Sequence, residues 1–298
     1  MAEAYIVDAT RTAVGKRGGG FADRHPRGHG GPRDRHTDRP ARLRSGRDRR
    51  RHPGLPGQSR LAGRGDIART AALAAGLPES VPPGVTIDRQ CGSAQQAIHF
   101  AAQAVMSGTS DLIVAGGVQK MSQYPILCAF GAGEPYGSSD PWTGCEGWEQ
   151  RYGTQEVSQF RAAEMIADKW GVSREDCEHY AFRSHQRALA AIDAGYFTRE
   201  ISEYAGVTTD EGPRRDTSLE KLAGLKPLSE GGKVTAGVAS QISDASAALL
   251  IASEDAVNRF GFTPRARIHH MSVRGADPIM MLTAPPSRRP STHSSAPA

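Results

Sequence analysis

The stretch from Val85 to Gly117 restricts the fold more than any other part of the chain. VTIDRQ (85–90) is rich in β-branched residues and reads as a strand. From about Ala94 to Ser107, Ala94, Ala97, Ile98, Ala101, Ala102 and Val105 follow the i, i+3, i+4, i+7 spacing of one helix face. Gly108 ends that helix, and DLIVAGG (111–117) is a second, buried strand. Strand, helix and strand at this spacing define an α/β unit. The flanks extend it. Ala4–Val7 starts as a short apolar strand and runs into a Gly-rich turn. DIARTAALAAGLP reads as a helix with Asp66 as N-cap, and with Gly76 and Pro78 closing it.

Beyond Met121 the pattern changes. Residues 121–153 are rich in Gly, Pro, Ser and aromatics without a period, and predict an excursion over the surface. Residues 154–194 predict two helices, the second opening at Ser173 with a Ser-x-x-Asp capping signal and closing at Gly195. After a polar stretch, TAGVASQISDASAALLIAS predicts a loop running into a helix and a strand. ARIHHMSV (266–273) predicts a last strand, and beyond Pro285 the sequence falls into low complexity.

The net charge of +5 is unevenly placed. Residues 22–64 hold 13 Arg, no Lys and four Asp, a net +9, and the other 255 residues are at −4. With only six apolar residues, the tract cannot bury enough surface to offset its ordering entropy, which predicts disorder. Three readings of it stand side by side: a nucleic-acid arm that neutralises phosphates, a solvated linker, or the product of a GC-rich coding sequence read in a shifted frame. The absence of Trp and Tyr from the tract weighs against base stacking. The four Cys show neither CxxC pairs nor zinc-ligand spacing, which excludes a disulfide scaffold and a zinc ribbon. No apolar run approaches the ~18 residues of a membrane span.

Chemistry points to Cys91. The run Cys91-Gly92-Ser93 joins a strand to a helix, placing the thiol at the positive end of the helix dipole, where thiols ionise more readily and act as nucleophiles. Gly92 lets another group approach the backbone. The competing reading is an inert packing Cys, and Cys128, Cys145 and Cys177 are read that way. A general base is not evident. His99 lies about 12 Å along the same helix at ~1.5 Å per residue, and His179, His185, His269 and His270 carry no local signature.

VTIDRQCGSAQQAIHFAAQAVMSGTSDLIVAGGVQKMS resembles the nucleophile segment of the thiolases, the acetyl-CoA acyltransferase family. AYIVDATRTAVGKRGGG is similar to that family's amino terminus, and GDIARTAALAAGLP to the helix that follows. GLKPLSEGGKVTAGVASQISDASAALLIAS resembles the segment that returns from the coenzyme A loop domain to the core. The match covers residues 1–20 and 65–285.

The resemblance implies a layered α/β fold, with one mixed sheet between helices. The amino-terminal core would comprise 1–118 and 246–265, a helical loop domain 119–245, and the start of a second half 266–298. It implies Cys91 as the acyl-accepting nucleophile, with its backbone N–H as half of an oxyanion hole. Ser240 would lie near the pantetheine arm and Arg214 near the nucleotide end of coenzyme A, with Arg215 as the alternative. Coenzyme A and acyl-CoA enter as substrates, not as resident cofactors. The setting implied is cytoplasmic, homo-oligomeric, without membrane or nucleic acid. The reaction implied is thiolysis of a 3-ketoacyl-CoA, or the reverse condensation.

Departures from the family pattern qualify this. The motifs Asn-Glu-Ala-Phe, Gly-His-Pro and Cys-x-Gly followed by glycines do not occur in these 298 residues, and 22–64 stands where the family has a helix and a core strand. A missing base typically costs ~10²–10⁴-fold and a missing oxyanion donor ~10²–10³-fold, so the expectation is negligible thiolysis by these residues alone and an exposed apolar face. A related condensing enzyme such as a ketoacyl synthase, and a non-catalytic acyl-CoA or nucleic-acid-binding remnant, are the alternative readings.

Overall fold

The computed structural model describes residues 2–24, 55–59, 66–126, 128–131, 133–138 and 140–283. The chain divides into two compact units. The first draws on Met1–Gly137, Ala191–Pro213 and Gln241–Met271, and the second on Ser138–Ala190, Arg214–Ser240 and Ser272–Ala298.

In chain order the first unit begins with β1 (Ala4–Arg11), β2 (Gly15–Lys16), β3 (Leu55–Ser59), α1 (Ile67–Ala74), β4 (Gly84–Ile87), α2 (Ser93–Met106), β5 (Leu112–Lys120) and α3 (Cys128–Gly131). The second unit holds α4 (Glu146–Tyr152), α5 (Gln159–Lys169), most of α6 (Arg174–Asp193) and α7 (Leu219–Ala223). The chain then returns to the first unit with β6 (Ser243–Ser253), α8 (Glu254–Phe260) and β7 (Ala266–Arg267).

The sheet of the first unit runs β4-β3-β5-β6-β1-β7, with β2 paired to β6. β3 lies parallel to β4 and β5, and β6 lies antiparallel to both β5 and β1. The α/β layering implied by the sequence is the fold observed. Strand alternation sorts the core by face. Ile113 and Ala115 of β5 pack with Ala97, Ala101, Ala102 and Val105 of α2. Leu112 turns the other way onto Val7 and Ala256 of α8, and Val114 onto Ala68 and Ala72 of α1. Alanine along the buried stripe of α2 brings that helix close to the strands. At Gly116 a Cβ would stand 2.3 Å from the Ala247 carbonyl oxygen, so glycine is required where β5 and β6 close up.

Local signals explain the elements. Asp66 caps α1 by accepting from the Ala68 N–H at 3.0 Å. At the start of α6, Ser173 and Asp176 close a reciprocal box: the Asp176 N–H donates to Ser173 Oγ and the Ser173 N–H to Asp176 Oδ2, both at 3.0 Å. The Ser173 backbone N–H first, and then its hydroxyl, which donates to Oδ2 at 2.8 Å, hold the Asp176 carboxyl below its ordinary range.

Three expectations are corrected. Residues 55–59, inside the tract read as disordered, form β3, with β4 on one side and β5 on the other. Pairing along both edges satisfies a backbone whose LPGQS sequence carries no strand propensity. The remainder of the Arg-rich segment, 25–54 and 60–65, and the tail beyond 283 lie outside the described residues. The Ala-rich ASAALL run predicted a helix before the last strand of its segment. Instead Ser243–Ser253 is one strand, held between β5 and β1, and this tertiary pairing overrides the helix propensity of alanine. Of the strand predicted over 266–273, only Ala266 and Arg267 pair.

Side chains bury charge where the strands of the first unit end. Lys120 and Asp244 are both fully buried, Nζ to Oδ2 3.2 Å. Lys120 also donates to the carbonyls of Phe21 and Ala22, and the second Asp244 oxygen accepts the Ser122 N–H at 2.9 Å. Asp210 takes Arg11 bidentately at 2.7 and 3.0 Å and the Val14 N–H at 2.7 Å. Glu211 accepts from the N–H groups of Lys16 and Gly20.

Candidate active site

Cys91 stands exposed in the turn between β4 and α2. The turn is tied within itself. The Gln90 N–H donates to Asp88 Oδ1 at 2.9 Å, the Gly92 N–H to the Arg89 carbonyl at 3.1 Å, and the Ser93 N–H to the Gln90 carbonyl at 3.1 Å. The Ser93 hydroxyl accepts from the Arg89 N–H at 2.7 Å and donates to the Gln90 carbonyl at 2.6 Å. Gln90, directly before Cys91, has a φ of +50°. A side-chain-bearing residue held in this left-handed region stores backbone strain, a feature that clusters at functional turns.

The Arg89 guanidinium folds back over the same turn. It donates to the side-chain oxygens of Gln96 and Gln95, the latter at 3.1 Å. A Cβ on Gly92 would lie 2.5–3.0 Å from its atoms, so a side chain there would push the guanidinium out of this position. Sequence reading found Cys91 and the freedom of Gly92. It did not find Arg89, Gln95, Gln96 or the strain at Gln90. Their signal is weak: glutamine pairs on a helix face are ordinary surface residues until the preceding loop folds back onto them.

His99 is buried on α2, its pKa pushed down by burial first and by the Arg89 charge second. A neutral buried imidazole that resists protonation stabilises the unfolded state in acid, because only the unfolded chain takes up the proton. Stability is therefore expected to be unaffected by His99 above its unfolded pKa of about 6.5. It should fall as the pH drops below that value until the lowered folded pKa is reached. Urea unfolding between pH 7.5 and 5 checks this, and His99→Leu should flatten the acid-side slope.

Ser240 and Arg214 are exposed residues of the second unit, whereas Cys91 belongs to the first. The Arg214 N–H donates to His185 Nδ1 at 3.1 Å. Burial, then the Arg214 charge, lowers the His185 pKa, in keeping with an unprotonated acceptor nitrogen. The segment leading to Ser240 is fixed by Glu164 of α5. Its carboxylate accepts the N–H groups of Lys233 at 2.9 Å and Val234 at 2.8 Å, and the Ser229 hydroxyl at 3.3 Å. Glu164→Ala is expected to cost about 1–3 kcal/mol, the penalty of stranding such donors. Hydrogen exchange should show lost protection at the Lys233 and Val234 amides.

Fold and turn together present an exposed cysteine at the strained junction of a strand and a helix in a mixed α/β sheet, a setting in which a thiol can serve as a nucleophile. Comparison with known proteins sharpens this. A family profile described as "Thiolase, N-terminal domain" matches residues 57–255. A steroid 3-ketoacyl-CoA thiolase of Mycobacterium tuberculosis is 54% identical over 296 residues, covering 96% of this chain and 70% of that protein. A 3-oxoadipyl-CoA/3-oxo-5,6-dehydrosuberyl-CoA thiolase of Escherichia coli is 40% identical over 237 residues, with 74% and 58% covered. Among solved structures, an acetyl-CoA acetyltransferase of Bacillus anthracis superposes with a TM-score of 0.71 at 31% identity, covering 94% of this chain and 73% of that one. Human mitochondrial 3-ketoacyl-CoA thiolase gives a TM-score of 0.70 at 30% identity, with 94% and 72% covered. The chain belongs to the thiolase family. It spans 70% and 58% of the two curated relatives' lengths. No helix among the described residues is long and apolar enough to cross a membrane.

Proposed function

We propose that Cys91 is the nucleophile of a thiolase-type acyl transfer between a 3-ketoacyl-CoA and coenzyme A. The observation that carries this is the exposed thiol in the strained turn at the start of α2, within the matched family segment. The Cys91 sulfur bonds to the 3-keto carbon and the bond from that carbon to C2 breaks. Acetyl-CoA leaves once C2 has taken a proton. Coenzyme A thiol then exchanges with the acyl-enzyme thioester, releasing a shortened acyl-CoA and restoring the Cys91 thiol. The Cys91 N–H supplies one donor to the oxyanion formed at the attacked carbonyl.

Ser240, in a loop domain over 119–245, contacts the pantetheine arm, and the Arg214 cation meets the phosphates at the nucleotide end. Coenzyme A is a substrate here, used in the cytoplasm by a homo-oligomer. The 54% identity to a steroid 3-ketoacyl-CoA thiolase favours ring-bearing over linear acyl groups. Incubation with acetyl-CoA or acetoacetyl-CoA, followed by peptide mass spectrometry, tests the nucleophile. An acyl adduct on the Cys91 peptide is expected, and acylation elsewhere with Cys91 unmodified overturns the proposal.

A further inference from the structure

The turn that carries Cys91 is held in a conformation its own sequence does not favour. Gln90 sits at φ +50°, where residues with a Cβ are disfavoured and glycine is not. The Gly92 and Ser93 N–H groups and the Ser93 hydroxyl hold the turn in part, and a side chain that bridges it to α2 would complete the restraint. Arg89 is placed to do so. Its guanidinium packs against Gly92, where a Cβ would stand 2.5–3.0 Å from its atoms, and its two terminal nitrogens reach Gln96 and Gln95, in the first turns of α2. One rigid planar group therefore spans the residue before the strained position, the residue after Cys91 and the helix that follows. A lysine, with a single ammonium, offers no such fork.

We propose that Arg89 is a positioning residue for Cys91, clamping the left-handed turn at Gln90 against the first turns of α2 so that the thiol keeps one attack geometry. The role rests on the nucleophile reading of Cys91. It makes a demand that a general stabilising role does not. Alkylation by a small, loosely oriented reagent tolerates a wandering thiol, whereas attack on a bound thioester carbonyl needs near-attack geometry, and a displacement of ~1 Å can cost ~10²-fold.

Two rates are compared on the full chain: iodoacetamide alkylation of Cys91, and its single-turnover acylation by acetyl-CoA. Arg89→Leu is expected to lower acylation ~10²-fold while alkylation changes less than about threefold. Arg89→Lys should recover little. A Gln95→Ala/Gln96→Ala double variant, which removes the arms and leaves the turn sequence intact, should show the same split between the two rates. The decisive variant is Arg89→Leu/Gln90→Gly. Glycine adopts the positive φ without strain, so the turn no longer needs its clamp, and acylation should recover at least about tenfold.

Wild-type acylation in Arg89→Leu overturns the proposal. So does a parallel loss of both rates that Gln90→Gly does not rescue, whether or not the melting temperature falls. Failure of the underlying reading looks different: the wild-type acyl adduct lies on a residue other than Cys91 and survives Cys91→Ala.

Discussion

Asp244→Ala is expected to destabilise the first unit by about 3–5 kcal/mol, the range for breaking one side of a buried ion pair. The cost comes from what remains. Lys120 is fully buried beside the Phe21 and Ala22 carbonyls and would be left without its partner carboxylate, while the Ser122 N–H loses its acceptor. Lys120→Met should be comparably harmful, since it strands the carboxylate instead. A Lys120→Met/Asp244→Leu double variant removes both charges together and should cost less than the sum of the singles, because buried neighbours couple. Denaturant unfolding of the four proteins measures the coupling. Strict additivity would mean that the two residues do not act as a pair. The pair also joins distant parts of the chain: β5 ends at Lys120, β6 begins beside Asp244, and the anchored carbonyls belong to residues 21 and 22.

That pair shows where sequence reading stops. Lys120 and Asp244 are 124 positions apart, and nothing local marks either as buried. Lys120 closes an apolar strand, where a lysine reads as the polar step into a loop. By contrast α1, α2 and α6 were legible, because their caps and apolar stripes are local and their tertiary packing agrees with them. β6 was misread for the opposite reason: ASAALL carries a helix propensity that two flanking strands override. β3 was invisible because its stability comes from its neighbours' edges and not from its own residues. At the site, Cys91 was legible as a residue type at a junction. The clamp formed by Arg89 and the strain at Gln90 are properties of a folded turn and have no periodicity to betray them.

The largest effect on activity is expected from Cys91→Ala, which should abolish the acyl adduct. Removing a covalent nucleophile costs on the order of 10⁶-fold where measured, far below what single-turnover acylation detects. The loss can be read as chemistry because Cys91 is exposed, and substitutions at such positions usually change stability within about ±0.5 kcal/mol. The protein supplies its own controls. Cys145 is the other exposed thiol, at the N-cap of α4, and Cys145→Ala should retain full acylation. Cys177 is a weaker competitor: burial first, then the charge of Asp176, pushes its thiol pKa up, so less thiolate is present near neutral pH. Exposure alone therefore does not separate Cys91 from Cys145, and their settings must. Cys91 follows a residue held at positive φ and precedes the fourteen residues of α2, whereas α4 spans seven. Equal acylation of the two thiols by acetyl-CoA would show that the turn confers nothing, and selective loss of the adduct in Cys91→Ala would show that it does.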